Sequence, residues 1–195
     1  MKVHAQASLA SALFAISLAC APPIRAEAAA PENPATQAPR AQAPGAAGAS
    51  SEKPAAEIKW HSFDEGMRLA AETKKAVLVD VYTSWCGWCQ RMEKTTYRDP
   101  KVVQELNEHF VLVKLNAESA RVLTYKDEKS TEQRLSHEVF GVTGFPTTVF
   151  LRADGEIITP VSGYLPADRF YVVLTFIGTG AYESTKWADY LKKNS

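Results

Sequence analysis

The stretch that most restricts this chain is Ala76-Val77-Leu78-Val79-Asp80-Val81-Tyr82. It is of strand length and nearly continuously apolar, with Asp80 its one charged residue. That is the pattern of a parallel strand covered on both faces. Such a strand needs helices above and below it, which selects an α/β architecture. Directly beyond it comes Thr83-Ser84-Trp85-Cys86-Gly87-Trp88-Cys89-Gln90. In open α/β sheets, functional sites gather at the C-terminal ends of strands. Two cysteines two residues apart stand at one.

The rest of the domain alternates helices with strands. Ser62 to Glu65 has the form of a capping box and predicts a helix to about Thr73. A helix is expected from Cys86 towards Tyr97. Asp99-Pro100 caps the next, to about His109, with Pro at the first helical position where its missing N–H costs nothing. Phe110 to Leu115 reads as a second buried strand. Ser130 to Gln133 is another apparent capping box, opening a helix to about Phe140. Thr147 to Leu151 reads as a third strand, turned by Asp154-Gly155 into Glu156 to Val161 as a hairpin. Helices are expected from Leu165-Pro166-Ala167-Asp168 to about Gly178 and from about Ser184 to Lys192. The sum is an α/β sandwich, a central mixed sheet flanked by helices.

Upstream of Ile58 the composition differs. Lys2 followed by the mostly apolar run Leu9 to Ala21 and then Ala26-Glu27-Ala28 reads as a signal peptide over residues 1–28. The apolar run is shorter than the ~20 residues of a membrane-spanning helix. A lipoprotein signal with Cys20 as the acylated residue is the rival reading, although Ser17 stands where Leu is usual. Either one implies export, most simply to a bacterial periplasm. Residues 29–57, rich in Ala and Pro, read as a disordered linker. Residues 58–195 then form the single domain. Acidic and basic residues balance at 22 each over the whole chain. That balance offers nothing to nucleic acid or an anionic membrane surface.

Of three cysteines, cleavage after Ala28 leaves Cys86 and Cys89. A bridge between them closes a tiny loop and adds little loop-closure stabilisation, so a purely structural role is weak. A structural zinc site wants four ligands, and His61, His109 and His137 show no ligand spacing to complete one. Monovalent copper needs only two thiolates, so a copper-carrying role stays open. Thiol–disulfide exchange fits the placement. Cys86 at a helix N-terminus meets the positive end of the dipole and free N–H groups, both favouring thiolate. Cys89 falls on nearly the same helix face one turn on. The expected arrangement is an exposed attacking sulfur and a sheltered resolving one.

Over Ile58 to Ser195 the chain resembles the thioredoxin family. The resemblance is carried by Val79 to Cys89 with its Trp-Cys-Gly-x-Cys, by Val113-Lys114-Leu115-Asn116, by Gly141-Val142-Thr143-Gly144-Phe145-Pro146-Thr147, and by Gly163. It implies a thioredoxin-like sandwich with Cys86 and Cys89 as a redox-active disulfide. It implies Asp80 as the buried acid that shuttles the proton of Cys89, and Lys114 as its charge partner on the neighbouring strand. It also implies a cis peptide before Pro146, with Phe145 presenting backbone groups to an extended substrate. Trp85, Gly87 and Trp88 would shape the docking surface. The chain departs from thioredoxin at Trp88, where Pro is usual, and at Tyr82, where Trp is. About 13 extra residues precede Pro146, placed in the charged stretch Glu118 to Lys129. These departures resemble exported thioredoxin-like proteins. The C-terminal domain of transmembrane thiol–disulfide interchange reductases and the periplasmic thioredoxins of sulfur oxidation are two such groups.

Gly87 and Trp88 put no cation between the cysteines, so thiolate stabilisation is expected to be moderate and the pair reducing. The resulting expectation is a monomeric periplasmic reductase of exported disulfide proteins, supplied with electrons by a membrane thiol–disulfide carrier. An oxidase or isomerase is the alternative direction. No flavin, haem or nicotinamide motif is visible, so no cofactor is expected and no metal.

Overall fold

The computed structural model describes residues 57–194. The signal peptide, the alternative lipidation at Cys20 and nearly all of the linker fall outside the described residues. The elements run β1 (Trp60–His61), α1 (Phe63–Thr73), β2 (Ala76–Tyr82), α2 (Gly87–Lys94), a 3₁₀ turn (Thr96–Arg98), α3 (Pro100–His109) and β3 (Phe110–Asn116). Then come β4 (Val122–Tyr125), β5 (Glu128–Thr131), a short α4 (Glu132–Arg134) continuing as a π-helix (Leu135–Val139), β6 (Thr147–Leu151) and β7 (Ile157–Ser162). The chain closes with α5 (Ala167–Gly178), a 3₁₀ turn (Ala181–Glu183) and α6 (Trp187–Asn194).

The main sheet has the order β1-β3-β2-β6-β7. β3 is parallel to both β1 and β2, while β6 is antiparallel to β2 and to β7. Strand parity sends Val77, Val79 and Val81 to one face, with Val111, Val113 and Leu115 beside them. Phe63 and Ala70 of α1, Leu123 of β4, Leu135 and Phe140 cover that face. Leu78, Leu112 and Phe150 point the other way, under Met92 of α2, Val102 and Leu106 of α3, and Phe170, Leu174 and Ile177 of α5. Each such large side chain contributes about 1.5–3 kcal/mol on burial, so β2, buried on both faces, anchors both layers.

Several boundaries differ from those the sequence suggests. The helix after the cysteines ends at Lys94 rather than near Tyr97. Thr95 adopts φ −120° and the chain re-enters as a 3₁₀ turn. Neither expected capping box forms. Ser62 makes no side-chain cap bond, and Glu65 instead lies 3.0 Å from His61 Nδ1. Ser130 is paired within β5. The cap is Thr131, whose hydroxyl accepts from Arg134 N at 3.1 Å. The helix expected to reach Phe140 is α-helical only over its first turn. The last helix begins at Trp187, not Ser184. Asp99 caps α3 as its sequence suggests, accepting from Lys101 N and Val102 N.

The charged stretch before Pro146 is folded. β4 and β5 form a hairpin with the two-residue turn Lys126-Asp127, at φ 50° and 67°. Left-handed φ at both positions is what a twist-matched two-residue hairpin turn demands. Thr124 N donates to Asp64 Oδ1 at 2.8 Å, and Tyr125 donates its hydroxyl proton to Gly155 O at 2.9 Å. These bonds tie the hairpin to α1 and to the β6–β7 turn.

Close helix–sheet approach in the first layer rests on Gly66. A Cβ there would lie 2.2 Å from Val113 Cγ2, a β-branched side chain fully enclosed in the core. Overpacking of this kind costs ~1–3 kcal/mol, against ~1 kcal/mol gained when Ala replaces Gly inside a helix. Gly66→Ala is therefore expected to destabilise the domain by up to ~2 kcal/mol, because the 2.2 Å clash with an enclosed side chain puts the overpacking cost towards the top of its range. Denaturant unfolding of the two proteins checks this, and an unchanged or raised midpoint would contradict it.

Candidate functional site

Cys86 occupies the N-cap of α2 rather than its first turn, with extended backbone at φ −73°, ψ 101°. The strand β2 delivers it there through a turn closed by Cys86 N donating to Thr83 O at 3.2 Å. Cys86 and Cys89 form a disulfide, their Cα atoms 5.3 Å apart. Cys86 Sγ also accepts from Cys89 N at 3.0 Å, so the sulfur caps the helix. A thiolate at this position would receive the same N–H. The expectation of an exposed attacking sulfur is not met in this oxidised state. Cys86 is 4% exposed and Cys89 5%, because the Cys86 side chain folds back over the first helical turn.

What stands exposed is the pair of tryptophans. Trp85 is 67% and Trp88 55% exposed. Trp85 is held from two sides: its indole Nε1 donates to Glu118 Oε1 at 2.8 Å, and its ring meets Phe145 edge-on at 6.0 Å. Trp88 packs on Tyr164 at 5.4 Å, and the Arg91 guanidinium lies over both rings. Gly87, between the cysteines, is exposed with open space where a Cβ would be. The Phe145–Pro146 peptide bond is cis, and Pro146 is buried. Pro146 O accepts from Gly163 N at 2.8 Å. Gly163 has φ 92°, a conformation that favours glycine.

Asp80 and Lys114 are direct neighbours across the parallel β2–β3 ladder, and Thr148 of β6 flanks Asp80 on its other side. Parity places all three on the sheet face that carries Leu78, the face covered by α2. Lys114 Nζ lies 2.6 Å from Asp80 Oδ2 and also hydrogen-bonds Glu93 of α2. The ammonium is ringed by aromatics, 4.9 Å from the ring centres of both Trp60 and Tyr82. Burial raises the Asp80 pKa, outweighing the opposing pull of Lys114. Burial acts to lower the Lys114 pKa, but the Asp80 and Glu93 carboxylates overcome it and raise it.

Sequence reasoning missed Glu93, Tyr97, Glu118 and Tyr164. Glu93 carried a readable signal, since four residues after Cys89 it shares that helix face. Glu118, Tyr97 and Tyr164 reach the site through loops and turns that no periodicity reports. Among the described residues no three or more His, Cys, Asp or Glu side chains gather as a metal site. Among them, too, no helix is long and apolar enough to cross a membrane.

The raised Asp80 pKa has a consequence for stability. A group that binds its proton more tightly when folded stabilises the fold fully below its unfolded pKa, about 3.9 for Asp. That contribution is lost as pH rises through the folded pKa. The oxidised Asp80→Asn protein, which never ionises at 80, is expected to gain stability relative to the parent as pH climbs from about 4 towards neutrality. Urea unfolding of both proteins across this range checks it. A difference that stays flat or shrinks with pH would show that Lys114 fully compensates the buried charge.

Comparison with known proteins agrees with this fold. Two solved structures share the fold. A thioredoxin-fold protein from Helicobacter pylori has TM-score 0.53 and 26% identity over 63% of this chain and 80% of that one. A thioredoxin from Thermus thermophilus has TM-score 0.51 and 26% identity over 63% and 88%. Among curated proteins, the thiol:disulfide interchange protein DsbD of Actinobacillus pleuropneumoniae is 34% identical over 105 residues. That match covers 53% of this chain and 16% of the relative. DsbD of Photorhabdus laumondii is 30% identical over 113 residues, 57% of this chain and 18% of the relative. The chain thus matches less than a fifth of the length of either DsbD. The model of the thioredoxin-like domain matches residues 63–178, more than half of the chain and all of the site just described except Trp60, and the chain belongs to that family.

Proposed function

We propose that this thioredoxin-like thiol–disulfide oxidoreductase is an exported, periplasmic reductase of protein disulfides. The observation that carries the reading is the Cys86–Cys89 disulfide at the start of α2, on the sheet face where the Asp80–Lys114 pair is buried. In the reduced state Cys86 attacks as thiolate on one sulfur of a substrate disulfide. A mixed disulfide forms and the other substrate sulfur leaves as thiolate, taking a proton from water. Asp80 accepts the proton of Cys89. The Cys89 thiolate then attacks Cys86 Sγ, restoring the Cys86–Cys89 bond and releasing the second substrate sulfur as a thiolate, which takes the proton back from Asp80. Two electrons pass from the protein dithiol to the substrate disulfide.

Lys114 offsets the charge of Asp80 and keeps the carboxylate accessible as a base. The substrate lies extended beside Phe145 and Pro146, between Trp85 and Trp88, with Gly87 leaving room above the sulfurs. The direction of electron flow is read from the motif, where Gly87 and Trp88 place no cation beside the thiolate. A reductase working outside the cytoplasm must be recharged. The likeness to part of DsbD supports a membrane thiol–disulfide carrier as the donor.

Two measurements test this. Cys89→Ser should accumulate a mixed disulfide through Cys86 with exported proteins, and Cys86→Ser should not. No adduct, together with tight copper binding by the paired thiols, would favour the copper-carrier alternative. The reduction potential of Cys86–Cys89 in glutathione or dithiothreitol buffers should lie near that of thioredoxin, about −270 mV. A value above about −180 mV would overturn reduction in favour of disulfide formation or isomerisation.

A further inference from the structure

Tyr97, in the 3₁₀ turn after α2, belongs to none of the motifs that mark the site. Its side chain is 4% exposed, set edge-on against Trp60 at 5.2 Å and Phe170 at 5.8 Å. The ring alone would serve that packing. Yet the hydroxyl is shut off from solvent and makes no well-directed hydrogen bond in the disulfide state. A buried donor without a partner is costly, so an idle hydroxyl here needs an account.

Tyr97 packs with Leu78 and Phe150, on the sheet face where Asp80 and Thr148 are neighbours across the β2–β6 ladder. After burial, which raises it most, both bear on its pKa, Asp80 raising it and Thr148 lowering it. Lys114 Nζ, bound to Asp80 Oδ2, sits 5.9 Å from the centre of the Tyr97 ring. Tyr97 and Lys114 also share the wall of a cavity of about 440 Å³ with Glu93 and Trp60.

We propose that Tyr97 is a positioning residue for Asp80, its hydroxyl donating to the carboxylate once the disulfide has opened and Asp80 is ionised, and holding it in the orientation from which it exchanges a proton with Cys89. The proposal rests on the reading of Asp80 as the base of the exchange reaction. Lys114 already takes Oδ2, so a second donor on another element fixes the carboxylate plane where one contact leaves it free to turn. Donation to the ionised form also opposes the effect of burial. The other charged groups around Asp80 are Lys114 from β3 and Glu93 from α2, with Thr148 from β6 polar but uncharged. Glu57 and Arg98 line the cavity further out. Cys89 faces the same sheet layer from the first turn of α2 and titrates only when reduced.

The test is the rate at which a Cys86–glutathione mixed disulfide is resolved by Cys89, followed from about pH 5 to 10, a range that brackets a raised carboxyl. The parent, Asp80→Asn and Tyr97→Phe proteins are compared. Loss of an inflection in Asp80→Asn identifies the one that Asp80 causes. In Tyr97→Phe that inflection should move up by about half to one pH unit, the size of one hydrogen bond. An inflection that Asp80→Asn removes but Tyr97→Phe leaves in place overturns the role of Tyr97 and keeps that of Asp80. An inflection that survives Asp80→Asn overturns both. Should Tyr97→Phe fail to fold, 3-fluorotyrosine at 97 supplies a stronger donor of nearly the same shape. It must then move the inflection down, and an unmoved inflection overturns the proposal.

Discussion

Asp80 and Lys114 meet across the β2–β3 ladder in the middle of a largely apolar sheet face. A carboxylate there loses its hydration, and one surface-type ion pair would not restore what is lost. The surroundings supply the remainder. Lys114 reaches over Trp60, Tyr82 and Tyr97, so its stem and ammonium are sheltered by rings whose faces attract a cation. Glu93 then fixes it from α2. Removing Lys114 would leave Asp80 a buried carboxylate without its counterpart, which costs more than the pair contributes when intact. The register of β2 against β3, the short α2 and the 3₁₀ turn after it are all bound into this one arrangement.

The same elements set the surface above the disulfide. Trp85 and Trp88 diverge from the cysteines and are pinned by different parts of the chain. Glu118 and Phe145 hold the first, Tyr164 and Arg91 the second. Glu118 follows directly on β3, where its backbone N–H donates to Asn116 Oδ1 at 3.0 Å, and leads into the β4–β5 hairpin. That hairpin is anchored at its far end through Tyr125 and Lys126 on the β6–β7 turn. The extra residues before Pro146 thus brace the segment that positions Trp85.

Where a residue's environment is set by its neighbours in sequence, the sequence was readable. The apolar run of β2, the Asp99-Pro100 cap, the Thr147–Leu151 strand and the cysteines at a strand end all carry local signals of period or turn chemistry. The hairpin over Val122–Thr131 gave none. Its turn is Lys-Asp where Asn-Gly is the usual mark, and its exposed strand positions are Val122, Glu128 and Lys129, with no polar alternation. The capping boxes failed for the opposite reason. Ser62 and Ser130 have the right residues three positions on, but other partners intervene, the local neighbour His61 for Glu65 and the β4 ladder for Ser130. Asp80, Lys114 and the Phe145–Pro146 pair could be picked out only because a family resemblance aligned them. Nothing in spacing says that a strand residue 34 positions downstream lies opposite Asp80. Tyr97, whose hydroxyl lies inside the core, looks in the sequence like ordinary aromatic mass.

The charges around α2 bear on how strongly a thiolate would be held at Cys86. The helix has no acidic residue in its first turn, and its basic residues, Arg91 and Lys94, lie in its last. A cation at a helix C-terminus stabilises the helix but lies far from a sulfur at the N-cap. Arg91 is moreover turned onto Trp88 and Tyr164, with its charge spent on ring faces. Lys114 is committed to Asp80 and Glu93. What remains for a Cys86 thiolate is the Cys89 N–H and the free amides of the first turn. A thiolate stabilised by amides alone is less favoured than one beside a fixed cation, and a less favoured thiolate makes the dithiol a better electron donor. This is the electrostatic ground for the proposed reducing direction.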